Sequence, residues 1–333
     1  MFRYIVRRVL ISIPVLIVAS FLCFCLVTAM GDPLGNWKTA KPRSPGAVAA
    51  ETHLIGYDKP FFARYGNWAV NFVEGDWNRD VTPGSDLAPV KSSVLDALWV
   101  TIKLVLAAEV LAIIIGVVIG VVGAVRQYSI FDYSITGVAF TLFSMPLFCI
   151  AIMIKAGGIQ FNNWLQSLGS STRWITTSGP PPGGFQGSFG TQFFQYTGAY
   201  ILPVISLLCI EFALYSRFQR GSMLDVLNAD YVRTAQAKGL SNARVILRHA
   251  FRNALIPVIT VSALNVGALF SGAIITETVF GWQGMGVLIV KSVSNIEPWM
   301  VLGWLMVTAT FIILFNLIAD IIYAFLDPRI RLD

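Results

Sequence analysis

The chain has 333 residues, 56% hydrophobic and 13% charged, with 24 Lys+Arg against 18 Asp+Glu for a net charge of +6. Ordinary globular chains carry about 25% charged residues, so too few charges are present to cover a large soluble enzyme. The composition also excludes disorder, collagen-like repeats and a disulfide scaffold, and the positive mean hydropathy points to lipid as the main solvent.

A membrane-crossing helix needs about 20 mostly apolar residues. Six stretches meet or approach that length: 9–30, 98–125, 135–155, 199–216, 256–276 and 299–319. Arg3, Arg7 and Arg8 precede the first, as in a signal peptide, but its apolar core exceeds the 7–15 residues of a signal segment and predicts a retained anchor. The region 31–97 carries Trp37, Phe61, Phe62, Tyr65, Trp68 and Trp77, enough apolar surface for a small packed subdomain. In the second stretch, Gly116, Gly120 and Gly123 permit close helix contact, and Lys103 lies near one end, where it can snorkel. The region 156–198 contains Pro180-Pro-Pro-Gly-Gly184 and is predicted to be irregular at its centre.

Glu109 and Glu211 lie inside apolar stretches. Ionisable groups there are expensive. Two readings stand: a proton or cation relay, or carboxyls that are neutral or hydrogen-bonded to a neighbouring helix. Cys23, Cys25, Cys149 and Cys209 all lie in apolar runs, and the two histidines, His53 and His249, show no metal-ligand spacing. The chain has no phosphate-binding Gly-x-x-x-x-Gly-Lys loop, no His-Glu-x-x-His and no Gly-x-Ser-x-Gly elbow.

Lys and Arg in short connections set the orientation. Arg3, Arg7, Arg8, Arg126, the run Arg217, Arg220, Arg233, Lys238, Arg244, Arg248 and Arg252, and then Arg329 and Arg331 all fall on one side if the spans alternate. The prediction is six spans with both termini in the cytoplasm. Within 217–255, Leu224, Leu227, Tyr231 and Ala235 follow helical spacing, Gly239 is placed as a stop, and Ser241 opens a second short helix carrying Val245, Ile246, Arg248 and His249. This basic, amphipathic element lies on lipid headgroups or docks on a partner.

The segments Asp230-Tyr-Val-Arg-Thr-Ala-Gln-Ala-Lys-Gly239 and Arg248-His-Ala-Phe-Arg-Asn-Ala-Leu-Ile-Pro257 resemble the cytoplasmic coupling loop of ABC importer permeases, most of all the first permease subunit of the dipeptide/oligopeptide branch. Arg3-Tyr-Ile-Val-Arg-Arg8, Ile13-Pro14, Gly31-Asp-Pro33, Asp58-Lys-Pro60, Arg64-Tyr-Gly66, Ser144-Met-Pro146 and Glu277-Thr-Val-Phe-Gly-Trp-Gln-Gly-Met-Gly286 extend the resemblance over nearly the whole chain. The general permease pattern begins Glu-Ala-Ala, whereas Arg233-Thr-Ala235 stands here.

The resemblance implies an all-α polytopic membrane protein of the type I ABC importer permease fold, in the bacterial inner membrane. It implies segments 1–30, an external loop 31–97, a permease core 98–325 with external loop 156–198 and coupling loop 217–255, and a cytoplasmic tail 326–333. The partners implied are a sister permease subunit, cytoplasmic ATPase subunits that hold ATP and Mg, an external substrate-binding protein and membrane lipid, with no nucleic acid. No cofactor and no catalytic residue belong to this chain. Asp230, Arg233, Ala237, Gly239 and Leu240 are the expected ATPase-coupling residues. Ser262, Asn265, Gly272 and Thr276 fall within an arc of about 80° if residues advance 100° along one helix, which reads as a pathway wall or as helix packing. Glu277 and Trp282 are external gate candidates by resemblance, and Trp282 reads equally as an interface anchor. The cargo expected is a dipeptide or oligopeptide. Competing readings are an ion-coupled secondary transporter and an ABC importer for haem, nickel or glutathione.

Overall fold

The computed structural model describes all residues except 1, 36–37, 39–44, 55, 81–87, 170–172, 181–183, 271–272 and 327–333. Trp37, the centre of the Pro-Gly run, Gly272, Arg329 and Arg331 therefore lie outside the described residues. Among the described residues the regular structure is helical, apart from one isolated bridge between Arg79 and Pro89. The helices are α1 (Phe2–Met30), α2 (Pro45–Leu54), α3 (Phe61–Glu74), α4 (Val90–Val125), α5 (Ile130–Ser144), α6 (Leu147–Ser167), α7 (Phe189–Leu227) and α8 (Asp230–Ala237). There follow α9 (Asn242–Ala254), α10 (Ile256–Leu269), α11 (Ile274–Phe280), α12 (Met285–Ser294) and α13 (Pro298–Leu326).

Among the described residues, α1, α4, α7 and α13 are each long and apolar enough to cross a bilayer. Counting each of the bent pairs α5–α6 and α9–α10 as one span raises the candidates to as many as six, the number the sequence predicts. At 36 residues, α4 is about 54 Å long at ~1.5 Å per residue, well beyond the ~30 Å hydrocarbon core.

Two predicted spans need correction. The stretch 135–155 is not one straight helix: α5 and α6 meet at an angle of 108°. Pro146 has no N–H to donate, and its ring forces Met145 out of the helical region, to φ −83° and ψ 135°. The stretch 256–276 also ends early, because α10 stops at Leu269 and a separate helix begins at Ile274.

The chain packs as two compact units. The first comprises residues 1–101, 270–274 and 283–314. Its core is aromatic: Phe24 of α1 lies 5.0 Å from Phe61 and 5.6 Å from Tyr65 of α3, and stacks on Trp299 of α13 at 6.2 Å. Offset and edge-on ring pairs of this kind add to the burial of area. The Tyr65 hydroxyl also meets Ser20 Oγ at 2.9 Å. Residues of the loop 31–97 thus share a core with α1 and α13. Just after α1, Asp32 accepts hydrogen bonds from Lys38 and from the Leu34 N–H. Partial burial works to raise the Asp32 carboxyl, and these bonds outweigh it and hold the group below the usual carboxylate range.

The second unit comprises residues 102–269, 275–282 and 315–333. Its centre is the seam between α4 and α7, and the predicted role of the α4 glycines is visible there. A Cβ on Gly116 would sit 2.8 Å from Tyr215 Cβ, and one on Gly120 would sit 2.7 Å from both Gln219 Cβ and the Ser216 carbonyl oxygen. Only glycine lets the two backbones approach so closely. At one end of the seam, Arg220 of α7 grips Asp132 of α5 through Nε at 2.6 Å and Nη2 at 2.7 Å. The fork-to-carboxylate geometry is bidentate, and the Tyr128 N–H adds a third bond to Asp132 at 3.1 Å.

Candidate functional site

The segment between α7 and α10 is a folded hinge. The sequence places Leu224, Leu227, Tyr231 and Ala235 on one helix, whereas the structure breaks that helix at Asn228-Ala229, so the first two belong to α7 and the last two to α8. The short α8 has two faces. Val232 and Ala235 turn inward against Met223, Ala124, Val245, Ala250 and Ala254. Asp230, Arg233, Ala237 and Gly239 stay exposed. The spacing i, i+3, i+7 explains why the first three share a face. Asp230 and Arg233 lie 4.0 Å apart, with side chains 100% and 68% exposed. Leu240, the fifth expected docking residue, instead packs on the apolar cluster beneath.

Gly239 terminates α8 with φ +76°. Its N–H donates to the Gln236 carbonyl at 2.9 Å, and the Leu240 N–H reaches back to the Ala235 carbonyl at 3.4 Å. This pair of bonds is a Schellman cap, which requires a left-handed residue at that position. Ser241 stands at the N-cap of α9 with extended backbone and no side-chain cap bond. A π-helical turn at Val245–Ala250 interrupts α9, a feature that periodicity does not signal. Asn253 Nδ2 donates to the Tyr231 hydroxyl at 2.9 Å and ties α9 to α8. Arg244, Arg248 and Arg252 are exposed along α9.

The expected pathway residues do not form one helical stripe. Ser262 and Asn265 lie on α10, but Thr276 is on α11, and Gly272 is outside the described residues. The count of 100° per residue fails because it carries one helix through a break. Ser262 is buried and donates to the Ile259 carbonyl of its own helix at 2.9 Å. Thr276 is fully buried, and its Oγ1 has no hydrogen-bond partner among the described residues.

The gate candidates are buried as well. Glu277 is fully enclosed. Trp282 is 3% exposed, with its ring 4.5 Å from that of Tyr200, so it is not a surface anchor at a lipid–water boundary. Residues 176–179 strap this element down: the Gly179 N–H donates to the Phe280 carbonyl at 2.6 Å, and a Cβ on Gly281 would lie 2.9 Å from Ser178 Oγ. Lys155 of α6 donates to the Val279 carbonyl at 2.5 Å, a cation placed on the C-terminal turn of α11.

The two intramembrane carboxyls are brought together, which the sequence does not reveal. Tyr215 of α7 donates its hydroxyl proton to Glu109 of α4. Asn265 Nδ2 of α10 donates to Glu211 Oε2 and to the Tyr215 hydroxyl, the latter at 3.0 Å. Of the two readings open from sequence, each carboxyl does take a hydrogen bond from a neighbouring helix. No signal marks Tyr215 in the sequence; only a helical wheel drawn for α4, α7 and α10 together would have suggested the contact. Among the described residues no group of three or more His, Cys, Asp or Glu could hold a metal ion.

The architecture is thus that of a polytopic α-helical membrane protein with a structured, basic hinge between two spans. Residues 112–332 match the family described as binding-protein-dependent transport system inner membrane component, and residues 1–96 match its N-terminal companion. The chain belongs to this family. It is 36% identical over 334 residues to the oligopeptide transport system permease protein OppB of Mycobacterium bovis, with 100% of both chains covered. It is 35% identical to the dipeptide transport system permease proteins DppB of Alkalihalophilus pseudofirmus and of Escherichia coli, with 99% of this chain covered in each case. Full-length similarity to permeases of this kind does not favour an ion-coupled secondary transporter.

Proposed function

We propose that the chain is one permease subunit of a peptide ABC importer, lining the route by which dipeptides or oligopeptides cross the inner membrane. A sister permease completes the route, a binding protein delivers cargo on the outer side, and cytoplasmic ATPases hold ATP and Mg. The exposed face of α8 carries this reading. Asp230, Arg233, Ala237 and Gly239 are all exposed, and Val232 and Ala235 root the helix in the apolar cluster beneath. A short helix anchored from below and bare above is a lever for a partner. ATP binding closes the ATPase pair, and the force enters α7 and α10, the two helices that flank the hinge. Closure favours one of two packings that exist beforehand.

Basic residues crowd the hinge, which supports a cytoplasmic position for it and for both termini. Ser262, Asn265 and Thr276 line the route, and Glu277 and Trp282 form part of an outer gate that is shut in this packing. Purification with the sister permease, ATPases and binding protein tests the reading. The expected result is a stable complex whose uptake of labelled peptide in proteoliposomes stops when the ATPase's phosphate-loop Lys is changed and persists without a proton gradient. Uptake driven by the gradient in the absence of ATP would overturn it.

A further inference from the structure

The polar junction of α4, α7 and α10 encloses two carboxyls to which the reading as a peptide permease assigns no role. Glu109 is 2% exposed and Glu211 8% exposed. Hydrogen bonds run from Asn265 to Glu211 and, through Tyr215, to Glu109, so a path of three hydrogen bonds joins the two carboxyls. Among the described residues, Tyr215 donates to Glu109 Oε1 and Asn265 donates to Glu211 Oε2. Glu109 Oε2 is buried and has no hydrogen-bond partner among the described residues.

Among the described residues neither carboxyl forms an ion pair. The titratable neighbours of Glu109 are Tyr215 and Glu211, both from α7. Asn265 of α10 bonds Glu211, and the apolar cluster that holds Tyr215 draws Val258 and Val261 from α10 and Phe251 from α9. On α4 itself, Lys103 lies six residues away with its Nζ over the Tyr196 ring. A bare carboxylate oxygen enclosed in apolar surroundings, beside a second carboxyl, is among the costliest arrangements a protein can hold. Such a site takes up a cation, and the smallest that fits a single unpartnered oxygen is a proton.

We propose that Glu109 is a proton-binding site: in this packing Oε2 carries a proton taken from water, and the packing of α4, α7 and α10 depends on it. Loss of the proton leaves a buried anion facing Glu211 and drives the three helices apart until water reaches the group. Glu109 of α4 is bonded to α7 and, through Tyr215, linked to α10, the helices that enter and leave the hinge, so the proton bears on the element that α8 projects from.

Glutamine tests this directly. It is neutral, it keeps a carbonyl to accept from Tyr215, and it replaces the O–H with an N–H. In membranes containing the full chain at neutral pH, the infrared difference spectrum of wild type against Glu109→Gln is expected to show loss of one protonated-carboxyl carbonyl band, and Glu211→Gln is expected to retain it. The wild-type melting temperature is expected to fall as pH rises, while that of Glu109→Gln stays level. Absence of a protonated-carboxyl band that Glu109→Gln removes, or a melting curve in Glu109→Gln that follows pH as the wild type does, overturns the proposal. Neither readout uses transport, so the result stands apart from the reading of the chain as a peptide permease.

Discussion

Gly239→Val probes the hinge at its most constrained point. Gly239 adopts φ +76°, and a Cβ added there meets nothing within 4 Å. The substitution therefore introduces no clash, and its whole cost is conformational. A left-handed backbone costs an L-residue about 1–2 kcal/mol, and a β-branched side chain is a true outlier there. A change of that size shifts an equilibrium about 5- to 30-fold. The Schellman cap holds α8 at its angle to α9, so the population with the α8 face presented is expected to fall by that factor. Co-purification of the ATPase and ATP-driven peptide uptake measure it. Gly239→Asn is the control, because asparagine tolerates the left-handed region. The expected order is glycine, then asparagine, then valine. Valine performing as well as glycine would refute the strain argument. Asparagine failing as badly as valine would show that contact with a partner, and not backbone conformation, requires glycine.

Two further substitutions test the second unit. Gly120→Val drives a side chain into the Ser216 carbonyl oxygen, a backbone atom that cannot rotate away. Overpacking of this kind costs about 1–3 kcal/mol, so a lower melting temperature in detergent is expected, while Gly137→Val, whose Cβ meets only open space, leaves it unchanged. Equal melting of the two variants would contradict the close α4–α7 seam. Arg220→Met strands the Asp132 carboxylate, whose side chain is 3% exposed. Removing one partner of a buried pair costs up to about 3–5 kcal/mol. The double variant Asp132→Asn/Arg220→Met is expected to recover most of the loss in a thermal melt, and no recovery would show that the arginine acts elsewhere.

Composition and hydropathy alone settle that the chain is a polytopic helical membrane protein with six candidate spans, because the length of an apolar run is a local property and lipid imposes it. Gly239 as a helix stop was legible for the same reason: a cap depends on the backbone of a few adjacent residues. The close approach at Gly116 and Gly120 was legible as a capacity, though not which helix would use it. What the chain order hid is everything that depends on helix rotation and angle. Pro146 announces a break, but the 108° turn between α5 and α6 is set by what each half packs against. The stripe drawn through Ser262 and Thr276 failed because a period holds only while one helix lasts. Glu109 and Tyr215 are 106 positions apart and meet only because α4 and α7 press together along a glycine seam. Sequence spacing carries no information about that encounter, and only the packed helices bring the two carboxyls, the tyrosine and Asn265 into one hydrogen-bonded group.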